Sequence, residues 1–253
     1  MTEHRFETPG PIELVVRIPT GDIDIETIEG DESLVSLDGD DKLIDLTEVR
    51  QEGRRVVVEL KGKKAFGITI SIGDFSFGSA RLRVRARVPH GSSAVFATAS
   101  ADMKVRGRLA SLEAKSASGD LVVNGEIEHD AIVKTVSGDV RLERVGGELT
   151  VQTVSGDVSA QSVRGSIESK TVSGDLRVES LHEGRATAQS VSGDIELGIA
   201  AGTNLDVDAG SVSGELASEV PLGSEPGAAG DDGPMLVVRG KTVSGDFRVF
   251  RGQ

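Results

Sequence analysis

The chain has 253 residues, with 28 Lys and Arg against 41 Asp and Glu for a net charge of −13; it contains no Cys, Trp or Tyr and 7 Phe. Such an acidic balance disfavours a nucleic-acid binder, whose affinity comes from Lys and Arg that neutralise phosphates. The lack of Cys excludes disulfides and thiolate metal or redox sites, the lack of Trp and Tyr makes any core aliphatic, and 32 Gly point to many tight turns.

The opening Met1-Thr2-Glu3-His4-Arg5 is polar and no apolar run comes after it, so no signal peptide is predicted. No stretch approaches the ~18 apolar residues of a membrane span. The chain as written therefore reads as cytoplasmic, with envelope association left open. Glu13-Leu-Val-Val-Arg17 and Asp22-Ile-Asp-Ile-Glu26 read as strands around a Pro19-Thr20-Gly21 turn, and Arg54 to Lys61 as another. Ile68 to Ile72, Gly73-Asp74 and Phe75 to Phe77 read as a hairpin. With Phe66, that segment is either a buried hairpin or an apolar patch for a partner. Leu82 to Val88 alternates strictly and ends at Pro89-His90-Gly91, which places Arg81, Arg83, Arg85 and Arg87 in a comb on one strand face. The comb could take an anionic partner or lipid headgroups; cross-strand pairing with the acidic comb Asp22, Asp24 and Glu26 is the favoured reading. Residues 1–93 are thus expected to form a cap-like β region continuous with the first coil of the repeats.

From 94 to 253 repetition dominates. Val-Ser-Gly-Asp begins at Val136, Val154, Val172, Val191 and Val243, with near copies at Ala99, Ala117 and Val212. The eight starts are separated by 18, 19, 18, 18, 19, 21 and 31 residues, which chance does not produce. Within a unit, Val136, Val140, Leu142, Val145, Leu149, Val151 and Val154 divide the repeat into two nine-residue halves. Apolar residues two apart mark half-buried strands, and the Gly-bearing triplets between them mark corners at which Gly supplies a positive φ. The extra spacing before Val243 is expected as a loop insertion at 221–234, rich in Gly, Ala, Asp and Pro.

An antiparallel meander this wide would leave one apolar face with no helix to cover it. A solenoid buries that face against its own opposite wall. The fold expected is therefore all-β: a parallel β-solenoid of about eight 18–19-residue coils, each of two half-repeats, preceded by an N-terminal β layer. The valines that open each Val-Ser-Gly-Asp, Val154 and Val172 among them, are expected to point inward and stack. Phe247 to Phe250 is expected to form the last coil, with little chain left to cap its edge.

The strand Leu82 to Val88 with Pro89-x-Gly91, followed by Thr-Val-Ser-Gly-Asp units at Thr135, Thr153, Thr171 and Thr242, resembles the bacterial DUF4097-type, adhesin-like β-strand-repeat family over residues 12–251. The resemblance implies a β-solenoid, an association with the cell envelope in some members, and no catalytic residues to carry over.

Chemistry is sparse. His4, His90, His129 and His182 are scattered without ligand spacing. The repeated Ser residues lack a positioned base, and nucleophile-elbow and phosphate-loop motifs are absent. No catalytic residue, cofactor or metal is assigned, and the chain reads as a non-enzyme. The sharpest feature is a column of corner pairs: Gly119-Asp120, Gly138-Asp139, Gly156-Asp157, Gly174-Asp175, Gly193-Asp194, Gly214-Glu215 and Gly245-Asp246. A calcium ladder would use such carboxylates, but the longer glycine-rich motif of calcium rolls is missing. The favoured role is structural, each Asp accepting N–H bonds in its own turn. Function then reads as an adhesin-like binding or structural module with an unidentified protein or envelope partner. A self-polymerising scaffold joined through the solenoid ends is the alternative; a calcium-binding roll and a carbohydrate-active enzyme stand behind both.

Overall fold

The computed structural model describes residues 1–61, 81–219 and 233–252. The N-terminal region contains β1 (Thr2–Glu7), β2 (Glu13–Ile28), β3 (Glu32–Gly39), α1 (Asp41–Leu46), β4 (Thr47–Glu52), β5 (Arg55–Leu60) and β6 (Leu82–Pro89). The hairpin expected around Phe66 to Phe77 lies outside the described residues. The repeats contribute β7 (Ser92–Lys115), β8 (Leu121–Ile127), β9 (Ala131–Lys134), β10 (Val140–Val145), β11 (Leu149–Gln152), β12 (Val158–Val163), β13 (Ile167–Lys170), β14 (Leu176–Leu181), β15 (Gly184–Gln189), β16 (Ile195–Ile199), β17 (Asn204–Ser211), β18 (Leu216–Ser218), β19 (Met235–Thr242) and β20 (Phe247–Arg251).

Each repeat makes one coil of a parallel β-solenoid and sends one strand to each of two walls. Along one wall Leu121, Val140, Val158, Leu176, Ile195 and Phe247 succeed one another in register. Along the other the sequence is Ala131, Leu149, Ile167, Ala186 and Val238. All of these side chains are 2% exposed or less, so like residues stack on like and the walls bury each other's apolar faces. The N-terminal strands join the same stack: β2 pairs in parallel with β5, β6 and β7, and β7 runs through corners from one wall to the other and back.

Two features depart from the sequence expectation. The first is coil order at the C-terminal end. The coil after β15 and β16 is not β17 and β18 but β19 and β20; β17 and β18 then pair on its far side and form the outermost coil. Phe247 to Phe250 therefore lies inside the stack. The reason is burial. An inner coil covers both its edges, and Leu236, Val238, Phe247 and Val249 bury completely there. The outer coil offers Leu205, Val207, Ala209 and Leu216, of which Leu216 is 51% exposed. The Phe247 ring fits because Gly240 lies against it: a Cβ there would come within 2.1 Å of the ring.

The second is helix α1, too short to show a helical period in the sequence. Asp40 caps it by accepting from the Lys42 N–H at 3.0 Å. Leu43 is buried and Ile44 packs on the core. The helix links β3 of one wall to β4 of the other, and chain direction reverses around it: β3 pairs antiparallel with β6 and β1, and β4 antiparallel with β5.

Candidate functional site

The Thr-Val-Ser-Gly-Asp corner is the repeated surface feature of the molecule. In the coil at 153–158, Thr153 points inward and Val154 and Ser155 both point out; Gly156 is inward, Asp157 outward and Val158 inward. Two consecutive outward residues shift the alternation by one. The expectation that Val154 and Val172 stack inside is therefore incorrect. They are 44% and 45% exposed, as are Val136, Val191 and Val243 at 48–50%, while Val212 on the outermost coil reaches 82%. The buried position belongs to the preceding hydroxyl residue. Thr153, Thr171, Ser190 and Thr242 each accept the N–H of the glycine three residues on, at 2.8 to 3.1 Å, a local side-chain bond that shapes the turn.

The corner glycines at 138, 156, 174, 193 and 245 do not need a positive φ, contrary to expectation; of the glycines preceding an acid in the column, Gly119 alone has one, at 109°. They are required by close approach. A Cβ on Gly156 would lie 2.1 Å from the Gly138 carbonyl oxygen, and the same contact recurs at Gly138, Gly174, Gly193, Gly214 and Gly245. Backbone stacks on backbone where a side chain would hold the coils apart.

The acidic column also works differently from the expected local cap. Each carboxylate accepts the N–H of the acidic residue one coil further on. The Oδ1 atoms of Asp102, Asp120, Asp139, Asp157, Asp175, Asp194 and Asp246 receive the amides of Asp120, Asp139, Asp157, Asp175, Asp194, Asp246 and Glu215, at 2.8 to 3.2 Å. The ladder joins coils rather than closing turns, and each bond to a charged acceptor offsets repulsion along the column. Asp102 begins it, from the least regular copy of the repeat. The signal available in the sequence was the 18-residue spacing from Asp102 to Asp120.

The backbone bonds of the next residues fix the order of the valines: Ser155 donates to the Val136 carbonyl, Ser173 to Val154, Ser192 to Val172, Ser244 to Val191 and Ser213 to Val243. The half-exposed valines therefore form one continuous apolar stripe, a coil spacing of about 4.8 Å apart, beside a row of Ser and a row of carboxylates.

Other candidate groups are engaged individually. Arg83 meets Asp22 at 3.2 Å and Arg87 meets Glu26 at 3.2 Å, while Asp24 turns to Arg106 at 2.7 Å. Arg81 and Arg85 are exposed. His90 Nδ1 lies 2.8 Å from Thr27 Oγ1, His182 Nε2 lies 3.1 Å from Ser162, and His4 stacks on Phe6. Among the described residues no three His, Asp or Glu converge as a metal-binding group, and no helix is long and apolar enough to cross a membrane. A groove of about 530 Å³ at the N-terminal end is lined by Pro11, Ile12, Glu13, Glu52, Arg54, Arg55, Gly91 and Ser93. Its arginines are committed, Arg54 to the Pro11 carbonyl and Arg55 to Glu13.

The fold is shared with a solved structure at low identity. A "putative lipid binding protein" from Parabacteroides distasonis superposes with a TM-score of 0.55 at 14% identity, over 98% of this chain and 96% of that one. A "putative adhesin" from Bacteroides fragilis gives 0.41 at 16% identity, over 98% and 96%. Another from Parabacteroides merdae gives 0.42 at 13%, over 98% and 95%. No curated protein matches the chain. The model of the family described as Toastrack DUF4097 matches residues 12–250, nearly the whole solenoid. The chain belongs to that family.

Proposed function

We propose that this protein is a non-enzymatic, adhesin-like binding module whose contact face runs along the Thr-Val-Ser-Gly-Asp corner. The observation that carries the proposal is the stripe of Val136, Val154, Val172, Val191 and Val243, each about half exposed. About half of each side chain faces solvent, apolar area that folding of this chain leaves uncovered. A contiguous apolar surface rimmed by polar rows is the pattern of an interaction site. Because the coils are identical in pitch, the face is multivalent, and a partner with a matching repeat would gain from several weak contacts at once. The partner class is a protein or envelope component; the acid column, whose Oδ1 atoms are taken up by amides of the next coil, speaks against a calcium roll. A lipid-binding reading lacks a comparable observation, since the two walls fill the interior with each other's side chains.

The experiment is chemical crosslinking of the purified chain in envelope and soluble fractions of the native cell, with wild type and the triple variant Val154→Ser, Val172→Ser and Val191→Ser. The expected result is a crosslinked species that the wild type forms and the variant loses while it still folds and unfolds cooperatively. Identical crosslinking profiles would refute the corner as the contact face. The self-polymerising alternative has less support: at the N-terminal end α1 and the antiparallel strands break the parallel stack that a head-to-tail filament would need to continue. Light scattering over a concentration series tests it, and growth in mass with concentration would restore it.

A further inference from the structure

The outermost coil carries a second feature that the corner does not explain. β17 is hydrogen-bonded on one side, to β19. Its inward row Leu205, Val207 and Ala209 is half-buried. The same positions one coil in, Leu236 and Val238, are fully buried, so the difference is a neighbour missing among the described residues. The outward row is Asp206 and Asp208, with side chains 57% and 79% exposed; Arg239 of β19 serves both, at 3.2 and 3.9 Å.

Elsewhere this molecule shows what such an acid row accepts. Asp22-Ile-Asp-Ile-Glu26 of β2 has the same alternation of acid and apolar residue, and it is flanked on both sides by arginines. Arg83 and Arg87 of β6 reach it from one side and Arg106 of β7 from the other. β17 has its arginine on one side and, among the described residues, no strand on the other.

We propose that the edge of β17 left unpaired among the described residues is a β-augmentation site for an extended segment of a partner protein in which Arg or Lys alternates with apolar residues. The basic side chains would lie over Asp206 and Asp208, and the apolar ones would extend the row of Leu205, Val207 and Ala209 and complete its burial. Backbone bonds to the edge supply strand pairing, and the charge row supplies selectivity. A second copy of the chain fits poorly. Two-fold pairing sets the acid row of β17 against itself, and the edge strands of the other end present mixed rows, Glu3, Arg5 and Glu7 on β1 and Glu48, Arg50 and Glu52 on β4. The chain's own connection 220–232 contains neither Lys nor Arg. The inference rests on the reading of the protein as a binding module but not on the valine stripe.

The probe is a fluorescent synthetic peptide of the sequence of residues 82–89, Leu-Arg-Val-Arg-Ala-Arg-Val-Pro, titrated with the full chain. A peptide of the same composition with its arginines adjacent measures attraction to net charge alone. The alternating peptide is expected to bind at least roughly tenfold more tightly than the clustered one. Asp206→Asn with Asp208→Asn should remove that preference, while Glu168→Gln with Glu179→Gln, the same charge change elsewhere, should keep it. Equal binding of the two peptides, no binding of either, or a preference unaffected by Asp206→Asn and Asp208→Asn would overturn the proposal. So would a dimer that forms without peptide and dissociates in the Asp206→Lys variant. Loss of peptide binding with crosslinking at the valine stripe intact would sink this proposal alone; the reverse would sink the stripe alone.

Discussion

The N-terminal layer and the repeat coils share one core and are held together by different means. In the repeats every strand pair is parallel, and the corners are fixed by short-range bonds: hydroxyl to glycine amide within a turn, carboxylate to amide between coils. Nothing in that scheme ends itself, because each coil presents to the next the surface it received. The N-terminal layer ends the stack by reversing direction, in β3 and β4, and by laying α1 between the walls. There, long charged side chains bridge strands, as in Arg83 to Asp22, Arg106 to Asp24 and the cluster of Arg17, Arg50 and Glu59. Stacking gives a rigid and repetitive body; termination requires sequence that breaks the repeat.

The largest expected effect breaks the repeats by using their two outward residues. Val158→Asp places a charge among Val140, Leu176 and the facing wall and should abolish cooperative unfolding, a loss of several kcal/mol. Val154→Asp, four residues earlier on the exposed stripe, should fold. Circular dichroism melts of both decide it; equal damage would mean that Val154 is core after all.

Next comes backbone stacking. Gly156→Val must move the Gly138 carbonyl or its own coil and should cost about 3 kcal/mol, the upper end of what overpacking a core costs. In the N-terminal layer Gly53, with φ 62° and nothing within 4 Å of an added Cβ, should lose only about 1 kcal/mol on substitution by Ala. Urea midpoints with equal slopes measure both. A mild Gly156→Val would show that the coils can separate at the corner without cost.

A smaller effect probes the ladder. Asp157→Ala removes the acceptor for the Asp175 amide at an exposed corner and should cost on the order of 1 kcal/mol. Asp157→Asn keeps an Oδ1 acceptor and should cost less. Melting temperatures should be unaffected by millimolar calcium or by chelator; stabilisation by calcium with Asn as harmful as Ala would identify a cation ladder instead.

Periodicity in the sequence was enough to specify the solenoid, the two strands per coil and the corners. It misplaced the valines because the residues that go inward at the corner are Thr153 and Gly156, a hydroxyl and a glycine that hydropathy does not mark as core. The inter-coil role of Asp157 was hidden because a carboxylate beside a turn has two amides within reach, its own and its neighbour's, and pattern alone does not choose. Coil order was hidden for a related reason: Leu205, Val207 and Val212 repeat the spacing of Leu236, Val238 and Val243. The deciding term is the greater apolar area of Phe247 and Val249 relative to Leu216 and Ser218, which is an energy and not a spacing.

The smallest expected effect separates the N-terminal layer from the repeats by pH. Partial burial raises the Glu59 carboxyl, but hydrogen bonds and charge from Arg50 and Arg17 overcome this and hold it below the ordinary glutamate value. A carboxyl whose folded pKa is lowered binds fewer protons folded than unfolded. Its contribution is therefore fully present above the unfolded glutamate range, near pH 4.3, and is lost as the pH falls through that range to the lower folded value. With the side chains of Glu59 and Arg50 still 28% and 32% exposed, screening limits the contribution to about 1 kcal/mol or less. Glu59→Gln should accordingly be less stable than wild type at pH 7, and the gap should close in acid. A gap that persisted unchanged at low pH would assign Glu59 to packing and hydrogen bonding, and the layer would then be held, like the repeats, by bonds that do not depend on its charge.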